Sequence, residues 1–123
     1  MKALIIDDSR AMRLLIGRVL QGLDFSTVEA GNGREALDAL ASEGPFDVAL
    51  VDWNMPVMDG LEFVLEVRRE RALDEMAIVM VTTESEERQV QRAIAAGASE
   101  YLMKPFTAEA FERKLVNLGL SLR

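Results

Sequence analysis

Three carboxylates and one lysine carry the chemistry this sequence could perform. Asp7-Asp8 closes a short apolar run, Asp52 closes a second, Thr82-Thr83 follows a third and Lys104-Pro105 a fourth. Acidic groups gathered from separate segments repel: two unit charges ~4 Å apart cost roughly 4 kcal/mol at an effective dielectric near 20. A divalent cation is the simplest relief. The chain has no Cys and no His, so the usual zinc, iron and copper ligands are missing and any metal must be a hard cation held by oxygen. With few carboxylates and room for water, Mg²⁺ suits the set better than a calcium cage, and no contiguous segment resembles an EF-hand loop.

Taken singly, each residue has a plainer use. Asp7-Asp8 suits a turn that caps a helix beginning near Ser9. Asp52, which precedes Trp53-Asn54-Met55-Pro56, suits an Asx turn into Met58-Asp59-Gly60. Burial at the end of an apolar strand would raise its pKa unless a cation paired it. A hydroxyl at a strand end, as on Thr82, ordinarily bonds nearby backbone, and a lone lysine is ordinarily a surface group. Joint placement at one sheet edge is what would make them a site.

The elements that must supply this placement alternate along the chain. Leu4-Ile5-Ile6, Ser26-Thr27-Val28, Val48-Ala49-Leu50-Val51, Ala77-Ile78-Val79-Met80-Val81 and Tyr101-Leu102-Met103 read as five strands. Three are apolar nearly throughout, as strands buried on both faces of a parallel sheet are. Between them, Met12, Leu15, Ile16, Val19 and Leu23 keep the three-and-four spacing of a helix stripe. Ala36, Leu37 and Leu40 begin a second helix, and Leu61, Val64 and Leu65 a third. Val90, Ala93 and Ile94 mark the fourth; Phe111, Leu115 and Leu118 mark the fifth. Gly22 and Gly97 fall where a left-handed C-terminal residue is wanted, and Gly44-Pro45 cannot continue a helix. This is an α/β pattern of five βα units. Right-handed crossovers then give an open, doubly wound sheet whose ligand sits beyond the carboxyl ends of the strands, where all the reactive residues fall.

Length and composition fit one domain over 1–123, with no repeat and no Pro/Gly/Ser-rich linker. A net charge of −7 argues against unaided nucleic-acid binding. The one dense basic cluster, Arg68, Arg69 and Arg71, has acidic neighbours and reads as a solvated helix face. The N-terminal apolar stretch is too brief for a signal sequence or a membrane span, so a cytoplasmic protein without membrane contact is expected.

Asp7-Asp8, Asp52, Thr82 and Lys104-Pro105, in this order and spacing, resemble the landmarks of the response-regulator receiver domains. The likeness extends over almost the whole chain. Around Asp52-Trp53-Asn54-Met55-Pro56, Met58-Asp59-Gly60, Val81-Thr82, Glu84 and Lys104-Pro105-Phe106-Thr107-Ala108, it is the chemotaxis branch of that family that the sequence resembles most. The resemblance implies a flavodoxin-like three-layer sandwich with strand order 2-1-3-4-5, and a signalling switch rather than an enzyme. It implies that Asp52 accepts a phosphoryl group from a CheA-like sensor histidine kinase. Asp8, Asp52 and the Asn54 backbone carbonyl would bind Mg²⁺, with Asp7 acting mainly through a bound water. Lys104 and Thr82 would hold the phosphoryl oxygens, and Thr82 would be coupled to a movement of Tyr101. The surface of the fourth helix, fifth strand and fifth helix would then change, with Val90, Met103 and Lys114 as its candidate residues. Asn54 and Glu84 would tune self-dephosphorylation, and Lys104-Pro105 would be cis. Expected partners are the kinase, a flagellar motor switch or other effector, and a phosphatase, bound by a monomer. Thr83 departs from the alanine common there and could narrow access to Asp52.

Two other readings compete. An aspartyl phosphatase of the haloacid-dehalogenase type wants an acid two residues after its nucleophile, where this chain has Asn54. A degenerate receiver used only for docking would have lost the acid pair, Asp52 or Lys104, all of which are present. Gly31-Asn32-Gly33 lacks the spacing and lysine of a P-loop.

Overall fold

Apolar side chains at every position of a strand can be buried only if both faces of the sheet are covered, and the fold meets that demand. The computed structural model describes residues 1–53, 55–83 and 87–120. Strands β1 (Lys2–Ile6), β2 (Ser26–Ala30), β3 (Val48–Asp52), β4 (Ala77–Thr82) and β5 (Glu100–Met103) alternate with helices α1 (Arg10–Gly22), α2 (Gly33–Glu43), α3 (Gly60–Arg68), α4 (Glu87–Ala96) and α5 (Ala108–Asn117). The sheet is parallel throughout and ordered β2-β1-β3-β4-β5, the doubly wound flavodoxin-like arrangement.

The period of two along each strand divides the core. Leu4, Ile6, Ala49, Val51, Ile78 and Met80 pack with Ala36 of α2, Phe63, Val64 and Val67 of α3 and Ala93 of α4. Ala3, Ile5, Val48, Leu50, Val79 and Val81 pack on the other face with Ile16 and Leu20 of α1 and Phe111 and Leu115 of α5. Three layers result, with β1 and β3 at the centre.

Local chemistry starts the helices. Ser9, Asn32 and Thr107 accept hydrogen bonds from the backbone N–H groups of Met12, Glu35 and Ala110. Asp59 and Glu62 form a reciprocal capping box on α3. Gly60, the first residue of α3, is tightly placed: a Cβ there would lie 2.8 Å from the Asp52 carbonyl oxygen and 3.1 Å from Trp53 Cα. A glycine therefore lets α3 begin directly against the end of β3.

The structure corrects two expectations. Gly97 is left-handed, with φ 122, but after α1 the positive φ falls on Asp24 at 66 and not on Gly22, which is still helical. Arg68 does not belong to a solvated face. Its guanidinium donates to the carbonyls of Leu73, Asp74, Met76 and Gly97, and only Arg69 and Arg71 are exposed. Helical periodicity cannot foresee such acceptors, because they come from the chain beyond the helix. Among the described residues no helix is long and apolar enough to cross a membrane.

Candidate functional site

The strand order reverses between β1 and β3, and in open α/β sheets the crevice beyond the carboxyl ends at such a point is where ligands bind. Asp7 and Asp8 leave β1 into it, and Asp52 is the last residue of β3. Carboxylate oxygens of Asp7, Asp8 and Asp52 all lie within 4.8 Å of one another. Asp7 and Asp52 are buried, whereas Asp8 is exposed.

Among the described residues, one cation is set among them. Lys104 Nζ, beyond β5, lies 3.3 Å from Asp52 Oδ1 and 3.8 Å from Asp7 Oδ2. The second distance is an ion pair but too long for a hydrogen bond, and Asp7 Oδ2 is buried with no hydrogen-bond partner. The other Asp7 oxygen accepts from the Ser9 N–H at 2.8 Å. The turn anticipated for this segment is therefore present and uses half of one carboxylate, but the helix itself is capped by Ser9 and not by either aspartate. Lys104–Pro105 is cis, and the Lys104 N–H donates to the Thr82 carbonyl.

Burial pushes the Asp52 carboxyl up to about 6, with the Asp7 charge acting in the same direction and Lys104 only partly opposing them. Asp7 is raised as well, chiefly by burial, against the lowering effect of Ser9 and Lys104. One ammonium does not balance three carboxylates. An orphaned buried oxygen and a surplus of negative charge, with oxygen as the only donor element, fit a hard divalent cation.

The comparisons with known proteins agree with this geometry. A family model described as the response regulator receiver domain matches residues 3–116. The chain belongs to the response-regulator receiver family. Within it, this receiver is 44% identical over 116 residues to a chemotaxis protein CheY homolog of Campylobacter jejuni, covering 94% of this chain and 89% of that one. It is 40% identical over 116 residues to chemotaxis protein CheY1 of Helicobacter pylori, covering 94% of each. The solved structure of CheY4 from Vibrio cholerae superposes with a TM-score of 0.87 at 38% identity, over 95% of this chain and 97% of that one. This is thus a CheY-like receiver, a member of a family of two-component signalling switches.

The remaining expected residues that the structure describes lie on β4, β5, α4 and α5. Thr82 is fully buried at the end of β4, where its hydroxyl reaches the Thr83 carbonyl at 3.3 Å. Tyr101 is half-buried on β5 under Lys114, whose Nζ stands 4.5 Å from the ring centroid and 3.3 Å from Glu100 Oε1. Met103 is half-buried. Val90 requires correction as a surface residue: it is 3% exposed, because the apolar stripe that marked α4 in the sequence is the face turned inward. Asn54 and Glu84 lie outside the described residues.

Two residues of this region carried no chemical signal in the sequence. Gly60 lets α3 meet Asp52, and a capping box just before a helix could have pointed to it. Arg13 donates from Nη1 to the Asp7 carbonyl at 2.6 Å. On a helix face it reads as one more solvated arginine.

Proposed function

We propose that this receiver takes a phosphoryl group from the phosphohistidine of a sensor histidine kinase onto Asp52 and uses it to change a docking surface. The reading rests on the clustering of Asp7, Asp8 and Asp52 around one lysine. A carboxylate oxygen of Asp52 attacks phosphorus, the phosphorus–nitrogen bond of the donor breaks, and an acyl phosphate forms. Phosphoryl transfer asks for positioning and charge compensation rather than acid–base groups on many residues.

Asp7, Asp8 and Asp52, with the backbone carbonyl of Asn54, would hold Mg²⁺. When bound, Mg²⁺ supplies the positive charge that three carboxylates and an incoming phosphoryl group require. Lys104 holds Asp52 before transfer and follows the phosphoryl oxygens after it, since an ammonium binds either anion. Thr82 turns its hydroxyl from the Thr83 carbonyl to a phosphoryl oxygen. The space this leaves is available to Tyr101, and the change reaches Met103 and Lys114 on the surface of α4, β5 and α5. Asn54 and Glu84 set the access of water to the acyl phosphate, with rapid self-dephosphorylation the result, and Thr83 narrows the approach to Asp52. The partners are the kinase, a phosphatase and an effector such as a flagellar motor switch, bound by a monomer in the cytoplasm.

Intact-mass measurement after incubation with acetyl phosphate and Mg²⁺ tests the first step. One added phosphoryl group is expected, lost in Asp52→Ala and when a chelator removes the metal. Phosphorylation that survives Asp52→Ala would overturn the assignment. Pull-downs with and without beryllofluoride, which mimics the phosphoryl group, would then identify the partner that binds only the treated form.

A further inference from the structure

The carbonyl of Asp7 belongs to the peptide unit that joins Asp7 to Asp8, so holding it restrains ψ of Asp7 and φ of Asp8, the two soft dihedrals between these residues. That unit lies one residue past the last paired position of β1, Ile6 opposite Ala30. The Asp7 N–H is tied to the sheet by donating to the Ala30 carbonyl at 3.1 Å. Its carbonyl accepts instead from a side chain, Arg13 Nη1 at 2.6 Å. Arg13 in turn gives its Nε to Glu29 Oε1 on β2 at 2.9 Å, and its side chain is 18% exposed. The guanidinium is a planar fork with donors in fixed directions. Here one branch holds the end of β1 and another is held by β2.

Resting on the reading of the acidic crevice as a Mg²⁺ site, we infer that Arg13 is a positioning residue for that site, and that Glu29 orients Arg13. Among the described residues Arg13 bonds the Asp7 carbonyl and the Glu29 carboxylate and no carboxylate of the crevice; it acts on the backbone between Asp7 and Asp8. The β1–β2 register ends at Ile6 opposite Ala30, and past it the Asp7 carbonyl accepts from the Arg13 side chain.

Sign separates this role from simple electrostatics. Arg13 carries a positive charge near a cation site, so its removal would tighten Mg²⁺ binding if charge alone mattered. A positioning role demands the opposite, and loss of outer partners that orient metal ligands costs roughly ten- to hundred-fold in affinity.

The chain's one tryptophan, Trp53, is buried and directly follows Asp52, so its emission reports Mg²⁺ addition to the phosphate-free protein. In Arg13→Ala the half-saturating Mg²⁺ concentration is expected to rise roughly ten- to hundred-fold. Arg13→Lys, which keeps the charge and the stem but offers no fork, should fall between Ala and the parent. Glu29→Gln, which keeps an acceptor, should shift it only a few-fold. Arg18→Ala, an exposed arginine on the same helix, should leave it unchanged or slightly lower. Unchanged or tighter binding in both Arg13→Ala and Arg13→Lys overturns the positioning role alone. A parent chain whose Trp53 emission and calorimetric titration both ignore Mg²⁺ overturns the metal reading together with it.

Discussion

Two regions of this receiver draw charge at least partly out of solvent, and they treat it in opposite ways. At the flank of α3, Arg68 places its guanidinium among the carbonyls of Leu73, Asp74, Met76 and Gly97, each within 3.3 Å. Desolvation lowers its pKa, yet each of its three nitrogens meets a carbonyl. At the carboxyl edge of β1 and β3, Asp7 and Asp52 are buried beside exposed Asp8 with one lysine among them, and an Asp7 oxygen has no donor. Buried charge that its own chain satisfies is architecture. Buried charge left in deficit is stable only when something from outside completes it, and that separates a site from a clasp.

The largest expected effect breaks the clasp. Arg68→Ala removes a cation from four carbonyls and leaves the segment after α3 without its anchor. A loss of about 3 kcal/mol is expected in urea unfolding, by the scale of hydrogen bonds to charged groups. Mg²⁺ affinity read from Trp53 emission should be unchanged. A large fall in that affinity would show that the two regions are not independent.

The acidic edge should respond to pH in the direction its deficit dictates. Asp52 titrates at about 6 when folded, against 3.8 ordinarily, so the folded state holds this proton more tightly than the unfolded chain. Between these values the unfolded chain binds fewer protons, and stability falls as pH rises through the window. Metal-free protein should therefore be more stable at pH 5 than at pH 7, by about 1 kcal/mol from Asp52, with Asp7 acting in the same direction. Saturating Mg²⁺ should flatten or reverse the trend, because protons compete with it below about pH 6. Metal-free stability that rises from pH 5 to pH 7 would contradict the deficit.

Asp52→Asn sharpens the same point without a pH change. Removing one of the clustered charges should stabilise the metal-free fold by about 1 kcal/mol at most, less than the combined effect of pH on Asp52 and Asp7 because Lys104 loses its partner. It should also abolish phosphorylation. Destabilisation on chelator-treated samples would mean that Lys104 balances the crevice by itself.

The architecture was legible in the sequence because its causes are local or periodic. Continuous apolar runs gave two-sided strands, three-and-four stripes gave helices, and the reactive residues all stood at strand ends. Asp7, Asp8, Asp52 and Lys104 were readable for that reason. Arg68 and Arg13 were not, since both are defined by backbone carbonyls distant from their own helix turn, which side-chain spacing does not encode. Val90 misled for a related reason: a family's docking element was legible, but which face of α4 would point outward was not taken from the stripe that marks it. Left-handed positions were legible only in part. The glycine rule found Gly97 but not Asp24 or Val57, because a loop that is held at both ends can force a positive φ on whatever residue occupies it.

The smallest effect concerns that last residue and returns to the two regions. Beside the Arg68 clasp the positive φ is taken by Gly97, at no steric cost from a Cβ. At the acidic edge it is taken by Val57, a β-branched residue at φ 71 that is 80% exposed. A left-handed conformation costs an ordinary L-residue roughly 1–2 kcal/mol, and a branched Cβ does not relieve it. Since the side chain is almost wholly in solvent, packing recovers little of that cost. Val57→Asn should therefore raise stability by about 0.5–1 kcal/mol, asparagine being at ease in this region of backbone space. Val57→Gly should gain less, because glycine also enlarges the freedom of the unfolded chain. Thermal unfolding of the two variants in chelator checks the order. If both are less stable than the parent, Val57 makes a contact that offsets its backbone, and the acidic edge is better satisfied by its own chain than the clasp comparison holds.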